Sequence, residues 1–127
     1  MEPTSNSQYA AALQVLDSPE KVRAAHVSGT LEKVYLLPAE FGGKDTAENI
    51  VYLPHGLGDL KRQIDGTVTE LVRANKVNKY EARPEYTGKS FVPVRILIKA
   101  WHSDTSKAGS LNSVLEIWSP DFPHSMG

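Results

Sequence analysis

LEKVYLLPAEFGGKDTAENIVYLPHGLGDLKRQID, residues Leu31 to Asp65, decides the fold. Val34-Tyr35-Leu36-Leu37 is a β-prone run that Pro38 ends, and Ile50 to Leu53 is a second that Pro54 ends. Between them, Gly42-Gly43 and the polar run Lys44 to Asn49 predict a loop whose backbone visits positive φ. Beyond Pro54 the apolar spacing becomes helical. Leu57, Leu60, Ile64, Val68 and Leu71 form one stripe of a helix from about Gly56 to Ala74, with Lys61, Arg62, Asp65, Thr69 and Arg73 off it. Asp59 in the first turn, and Arg73 and Lys76 at the end, have the sign the helix dipole favours, and Asn75 suits a left-handed C-cap.

Upstream, Tyr9, Leu13 and Leu16 fall on one face of a short helix over Ser7 to Leu16. Ser18 as N-cap, Pro19 at the first helical position and Glu20 in the first turn then start a second helix that runs to about Val27 and stops at Gly29. Downstream, three strands are predicted. Val77 to Arg83 is polar and edge-like. Phe91 to Trp101 is long and central, with Val92, Val94, Ile96, Ile98 and Ala100 on one face and Arg95, Leu97, Lys99 and Trp101 on the other. Leu111 to Trp118 alternates, with Leu111, Ser113, Leu115 and Ile117 facing one way. The connections suit successive antiparallel hairpins, and Pro93 implies an edge or bulge at the start of the long strand. The tail 119–127 has no period and carries two prolines; partial order through Phe122 is expected.

The fold class is therefore α+β: an N-terminal helical segment over 1–30, a β-loop-β-α unit over 31–75, and an antiparallel sheet over 77–118 packed on the main helix. A chain of 127 residues suits one domain with its own core. Formal net charge is −1, so no global positive field draws in phosphates and nucleic-acid binding is disfavoured. The chain has no cysteine, which removes disulfides, thiolate metal sites and cysteine nucleophiles together. No apolar run approaches the roughly 18 residues of a membrane span, and the N-terminus lacks the basic and apolar regions of a signal peptide. The expected setting is the cytoplasm, or a larger secreted protein of which this chain is a part.

The order of the central unit resembles the ββα-metal nuclease fold, in particular the HNH-like and DNA/RNA non-specific endonuclease domains of bacterial polymorphic toxins. Glu32-Lys33-Val34-Tyr35 stands where that family has its acidic-basic-Gly-His string, Gly42-Gly43 matches its loop, and Asn49-Ile50-Val51 matches its Asn-led segment. Pro84-Glu85-Tyr86-Thr87-Gly88-Lys89-Ser90 with Pro93 is similar to the hairpin of the non-specific endonucleases. The resemblance spans Leu31 to Ile98. It places Tyr35 where the family has its general-base histidine, and a residue near Gly58 where an asparagine holds the metal. A tyrosine with a pKa of about 10 does not readily take a proton from water at neutral pH, and glycine has no side chain to ligate a metal. The resemblance thus implies a frame that has lost its chemistry, with no catalytic residue and no cofactor.

An active alternative stays open, a divalent-metal nuclease with substitute groups: His55 as base, with Asp59 or Glu32 among the ligands and Tyr35 nearby. His55 precedes the long helix and Asp59 follows four residues on, which allows an imidazole and a carboxylate to share a face. His26 is a further candidate, and Glu40 is another acid close to the loop. None of His26, His55, His102 and His124 forms a close ligand pair, so no native metal site is expected. For binding, Tyr80, Tyr86, Arg95, Lys99 and Trp101 interleave aromatic and basic side chains over the predicted hairpin, a combination that stacks on bases or packs against a protein partner. A third reading is a small α+β protein-interaction domain.

Overall fold

The computed structural model describes residues 12–107 and 109–118. Its elements are α1 (Pro19–Val27), β1 (Leu31–Tyr35), two 3-10 turns (Ala39–Phe41 and Ala47–Asn49), β2 (Ile50–Pro54), α2 (Leu57–Arg73), β3 (Lys79–Glu85), β4 (Arg95–Trp101) and β5 (Ser110–Glu116). The chain is α+β as expected. β1 and β2 form an antiparallel pair with Val34 opposite Val51, and β3, β4 and β5 form an antiparallel meander with β4 in the centre. Half of the helix expected over Ser7 to Leu16 lies outside the described residues, and 12–14 are helical; the tail from 119 lies wholly outside them.

α1 begins as its sequence dictates. The Ser18 side chain accepts a hydrogen bond from the Lys21 amide at 3.2 Å, and Pro19 follows at the first position. α2 ends as expected too, since Asn75 takes a left-handed φ of 57°. Its start differs from an ordinary N-cap. The residue before the helix is Gly56, at φ 100°, and it has no side chain to offer.

One core joins the two sheets. Leu31, Val34, Val51 and Leu53 from the first pair meet Val92, Val94, Ile96, Ile98, Leu115 and Ile117 from the meander, with Leu13 and Val22 from the N-terminal segment and Trp118 closing it. The alternation read for β4 is the one observed: Val92, Val94, Ile96, Ile98 and Ala100 are all buried. A smaller cluster of Val68, Val77 and Ala100 holds the C-terminal half of α2 against the meander.

Several strand boundaries depart from the pattern-based reading, among them β5, which runs Ser110–Glu116 rather than Leu111 to Trp118. β1 starts at Leu31 and ends at Tyr35 rather than spanning Val34 to Leu37. Leu37 leaves the ladder because the Asn49 side chain takes both its backbone groups: Oδ1 accepts from Leu37 N at 2.8 Å and Nδ2 donates to Leu37 O at 3.0 Å. The same Nδ2 donates to Lys44 O at 3.0 Å, so one amide closes the loop on itself. β4 begins at Arg95, not Phe91. Phe91 N donates instead to Leu16 O at 2.8 Å, Val92 N donates to Ser90 Oγ at 3.1 Å, and Pro93 has no N–H to give, so this segment is tied to the N-terminal part of the chain. β3 starts two residues later than read, at Lys79.

The face of α2 is the largest correction. Leu57, Leu60, Ile64, Val68 and Leu71 were expected to turn inward together, with Lys61 and Asp65 off the stripe. Leu60 is 44% exposed, whereas Gly58, Lys61, Asp65 and Val68 are the buried residues of the helix. Leu57, Ile64, Val68 and Leu71 still pack on the two core clusters, and the buried face extends past them to Lys61 and Asp65, which meet polar backbone and the Tyr80 hydroxyl. Matching groups on the helix are required there.

Candidate functional site

Between β1, the loop that follows it and α2 runs a groove of about 250 Å³, lined among others by Tyr35, Glu40, Gly58, Lys61 and Asp65. Lys33 and Arg62 stand on its walls. The two positions that the family resemblance singles out, Tyr35 and Gly58, thus face one groove.

The groove is built on two polar anchors. At one end Glu32 reaches from β1 to the start of α2, where its Oε2 accepts from Gly56 N at 2.7 Å and from Gly58 N at 2.9 Å. A carboxylate on these amides supplies the cap that Gly56 lacks, and it lies where the helix dipole is positive. The missing side chain of Gly58 leaves room for the carboxylate in this position. A Cβ there would sit 2.9 Å from the carboxylate carbon and from both oxygens of Glu32.

At the other end Lys61, 1% exposed, points its ammonium into the seam. Its Nζ donates to Asp65 Oδ2 at 2.7 Å, to Leu36 O at 2.9 Å and to Tyr80 Oη at 3.0 Å. These three acceptors match the three protons of an ammonium group. The Tyr80 hydroxyl in turn donates to Asp65 Oδ1 at 2.6 Å, so both carboxylate oxygens are engaged. Burial lowers the Lys61 pKa, a fall that the Asp65 hydrogen bond and charge oppose. Burial also pushes the Tyr80 phenol far above its ordinary range, and its bond to Asp65 adds to the rise. The network ties the loop after β1, the main helix and the first strand of the meander together by charge-assisted hydrogen bonds.

The substitute catalytic set does not meet here. Glu32 lies beside the groove with its carboxylate on two backbone amides. Asp59 forms an ion pair with Arg62 on the exposed side of α2. His55 is exposed, and its backbone N donates to Thr30 O at 3.0 Å. His26 is elsewhere, on α1, its ring 5.1 Å from that of Tyr52. Among the described residues no three His, Asp or Glu side chains converge as metal ligands. The group that projects into the seam is a cation that Asp65 neutralises, and Glu40, the other acid lining the groove, does not bring the acids there to three. This donor set does not fit a divalent ion.

The five binding candidates separate as well, because alternation along the strands splits them. Arg95, Lys99 and Trp101 share the outer face of the meander. There Lys99 Nζ lies 5.1 Å from the Trp101 ring centre, and Arg95 pairs with Glu85 at 3.0 Å and with Glu116 at 3.4 Å. Tyr80 is on the inner face, in the Lys61 network. Tyr86 lies beyond β3 and borders a different cleft. The register places Lys79 and Arg83 on this face as well, and Glu81, Glu85 and Glu116 interrupt its positive charge.

The Lys61–Asp65–Tyr80 network escaped the sequence reading. Its one trace there is the four-residue spacing of Lys61 and Asp65, which is the same for a solvated surface pair. Comparison with protein-family models, with curated proteins and with solved structures finds no match. No helix among the described residues is long and apolar enough to cross a membrane.

Proposed function

We propose that this chain is a catalytically degenerate ββα nuclease-like domain, of the type carried by bacterial toxins, that works as a binding or interaction module. The observation that carries the reading is the ammonium of Lys61 between α2, β3 and the loop that follows β1, fully bonded to Asp65, Leu36 O and Tyr80. The order β1, loop, β2, α2 supports the resemblance, and the groove lined by Tyr35 and Gly58 is where that resemblance puts the metal. In this reading a protein cation holds hairpin and helix together in place of an ion. The acid of the string, Glu32, caps the helix instead of ligating.

Such a seam offers no open coordination position for a phosphate oxygen and no group to activate water. The domain retains a stable frame on which surfaces for partners are displayed. The test is incubation of the purified chain with supercoiled plasmid and with structured RNA, in separate Mg²⁺, Mn²⁺, Ni²⁺ and Zn²⁺ buffers, alongside thermal melts. The reading expects neither cleavage nor a metal-induced rise in Tm. Metal-dependent cleavage lost in His55→Ala would remove it in favour of the active nuclease.

A further inference from the structure

A second and larger cavity shares no lining residue with the groove at Lys61. α1, β2 and the segment 86–91 enclose an open cleft of about 760 Å³, a size within the range that holds small organic ligands. Its walls are apolar: Val22 and Pro19 from α1, Ile50 and Tyr52 from β2, and the rings of Tyr86 and Phe91. Those two rings are 50% and 47% exposed, large apolar surfaces left open at one mouth. Tyr52 is steadied by the His26 ring at 5.1 Å, and the Ser90 hydroxyl faces away, donating to Leu13 O at 2.7 Å.

The charge on the wall is one-sided. Arg23 and His26 are its titratable groups besides the tyrosines, and no acidic residue is among its described lining residues. Arg62, Arg73 and Arg95 are each paired with a carboxylate, whereas Arg23, like Arg83 on the meander, makes no ion pair among the described residues. An apolar cleft with a guanidinium at its edge complements a molecule that is apolar over most of its length and anionic at one end. We propose that this cleft binds a small carboxylic acid with an aliphatic or aromatic body. The body lies against Tyr52, Tyr86 and Phe91, and the carboxylate is held by Arg23.

The proposal gives a ligand class to the binding role inferred above but rests on a separate surface. Failure of ligand binding leaves the reading of the Lys61 seam intact, and metal-dependent cleavage would leave the cleft untouched. The probes are decanoate and 2-naphthylacetate, each with its primary amide as the uncharged control, followed by titration calorimetry and by amide shifts in heteronuclear NMR. Expected are saturable binding of the acids at one site, shifts confined to residues 19–26, 47–52 and 86–91, and amides weaker by about tenfold, the scale of one charge-assisted hydrogen bond. Arg23→Gln lowers acid binding to the level of the amide and leaves the amide unchanged. Phe91→Asp, at a half-exposed position, abolishes both while the melting curve stays cooperative. Equal binding of acid and amide, an Arg23→Gln variant with unchanged acid affinity, shifts elsewhere, or no saturable binding of either acid up to millimolar concentration would each overturn it.

Discussion

Replacing Asp65 by alanine removes the carboxylate that accepts from both Lys61 and Tyr80, and leaves an ammonium that is 1% exposed. Lys61 then keeps two neutral oxygens, Leu36 O and Tyr80 Oη, against a full buried charge. Breaking a buried pair in this way costs about 3–5 kcal/mol, a large part of the roughly 5–15 kcal/mol that holds a domain folded. Removing both charges is different. In Lys61→Met/Asp65→Leu the seam becomes apolar and Tyr80 can donate to Leu36 O, 3.2 Å away. The double variant is expected within about 1 kcal/mol of the parent, so the two single changes are strongly non-additive.

The assay is urea denaturation of parent, single and double variants at pH 7, repeated from pH 8 to pH 10. The pH arm has a definite sign. Burial lowers the folded-state pKa of Lys61, so between that pKa and the ordinary lysine value the unfolded chain binds more protons. Stability contributed through this group therefore rises with pH across the window. The rise is steeper in Asp65→Ala, where no carboxylate opposes the shift. A cost below about 1 kcal/mol for Asp65→Ala, the scale of an exposed ion pair, would refute the argument. So would a double variant as unstable as the sum of the singles.

Further outcomes follow from the same frame. Gly58→Ala gains up to about 1 kcal/mol of helix propensity, yet its Cβ meets the Glu32 carboxylate at 2.9 Å, so a lower Tm is expected; a higher one would show that the Glu32 cap is dispensable. Asn49→Ala loses three hydrogen bonds to the loop, about 1 kcal/mol each, and should expose the Leu37 amide to fast hydrogen exchange while leaving α2 protected. Of the five tyrosines, Tyr80 should ionise last in an alkaline absorbance titration, and Tyr80→Phe should remove that final step. Because its folded pKa is raised, its contribution is intact below about pH 10 and is lost at higher pH, so Tyr80→Phe should also blunt alkaline unfolding.

Much of the fold was legible because it follows from backbone preference and period. Ser18-Pro19 starts α1, Pro54 and Asn75 bracket α2, and the alternation from Val92 to Ala100 gives the buried face of the central strand. The errors come from side chains that stand in for backbone. Asn49 replaces a strand partner for Leu37, and Glu32 replaces an N-cap for α2. Neither substitution changes hydropathy, so no periodic pattern registers it. The burial of Lys61 and Asp65 has the same origin: they look like surface residues until Tyr80, distant in sequence, is brought beside them by the meander. The site was legible only in part. Resemblance leads to Tyr35 and Gly58, which line one groove, but Lys61, which fills the seam, lies off the apolar stripe that the sequence shows. The five aromatic and basic candidates came apart because Tyr80 and Lys99, on adjacent strands, point to opposite faces of the sheet.

The central claim is that a charged, fully bonded ammonium sits between α2, β3 and the loop after β1. Heteronuclear NMR of lysine side-chain nitrogens at pH 7 tests it most directly. Free lysine ammonium protons exchange with water too fast to be seen at room temperature. The account predicts one protected ammonium signal that correlates with Tyr80, is absent in Lys61→Met and is weakened in Asp65→Ala. If every lysine ammonium exchanges at the rate of bulk solvent, or the persistent signal survives Lys61→Met, the account is contradicted.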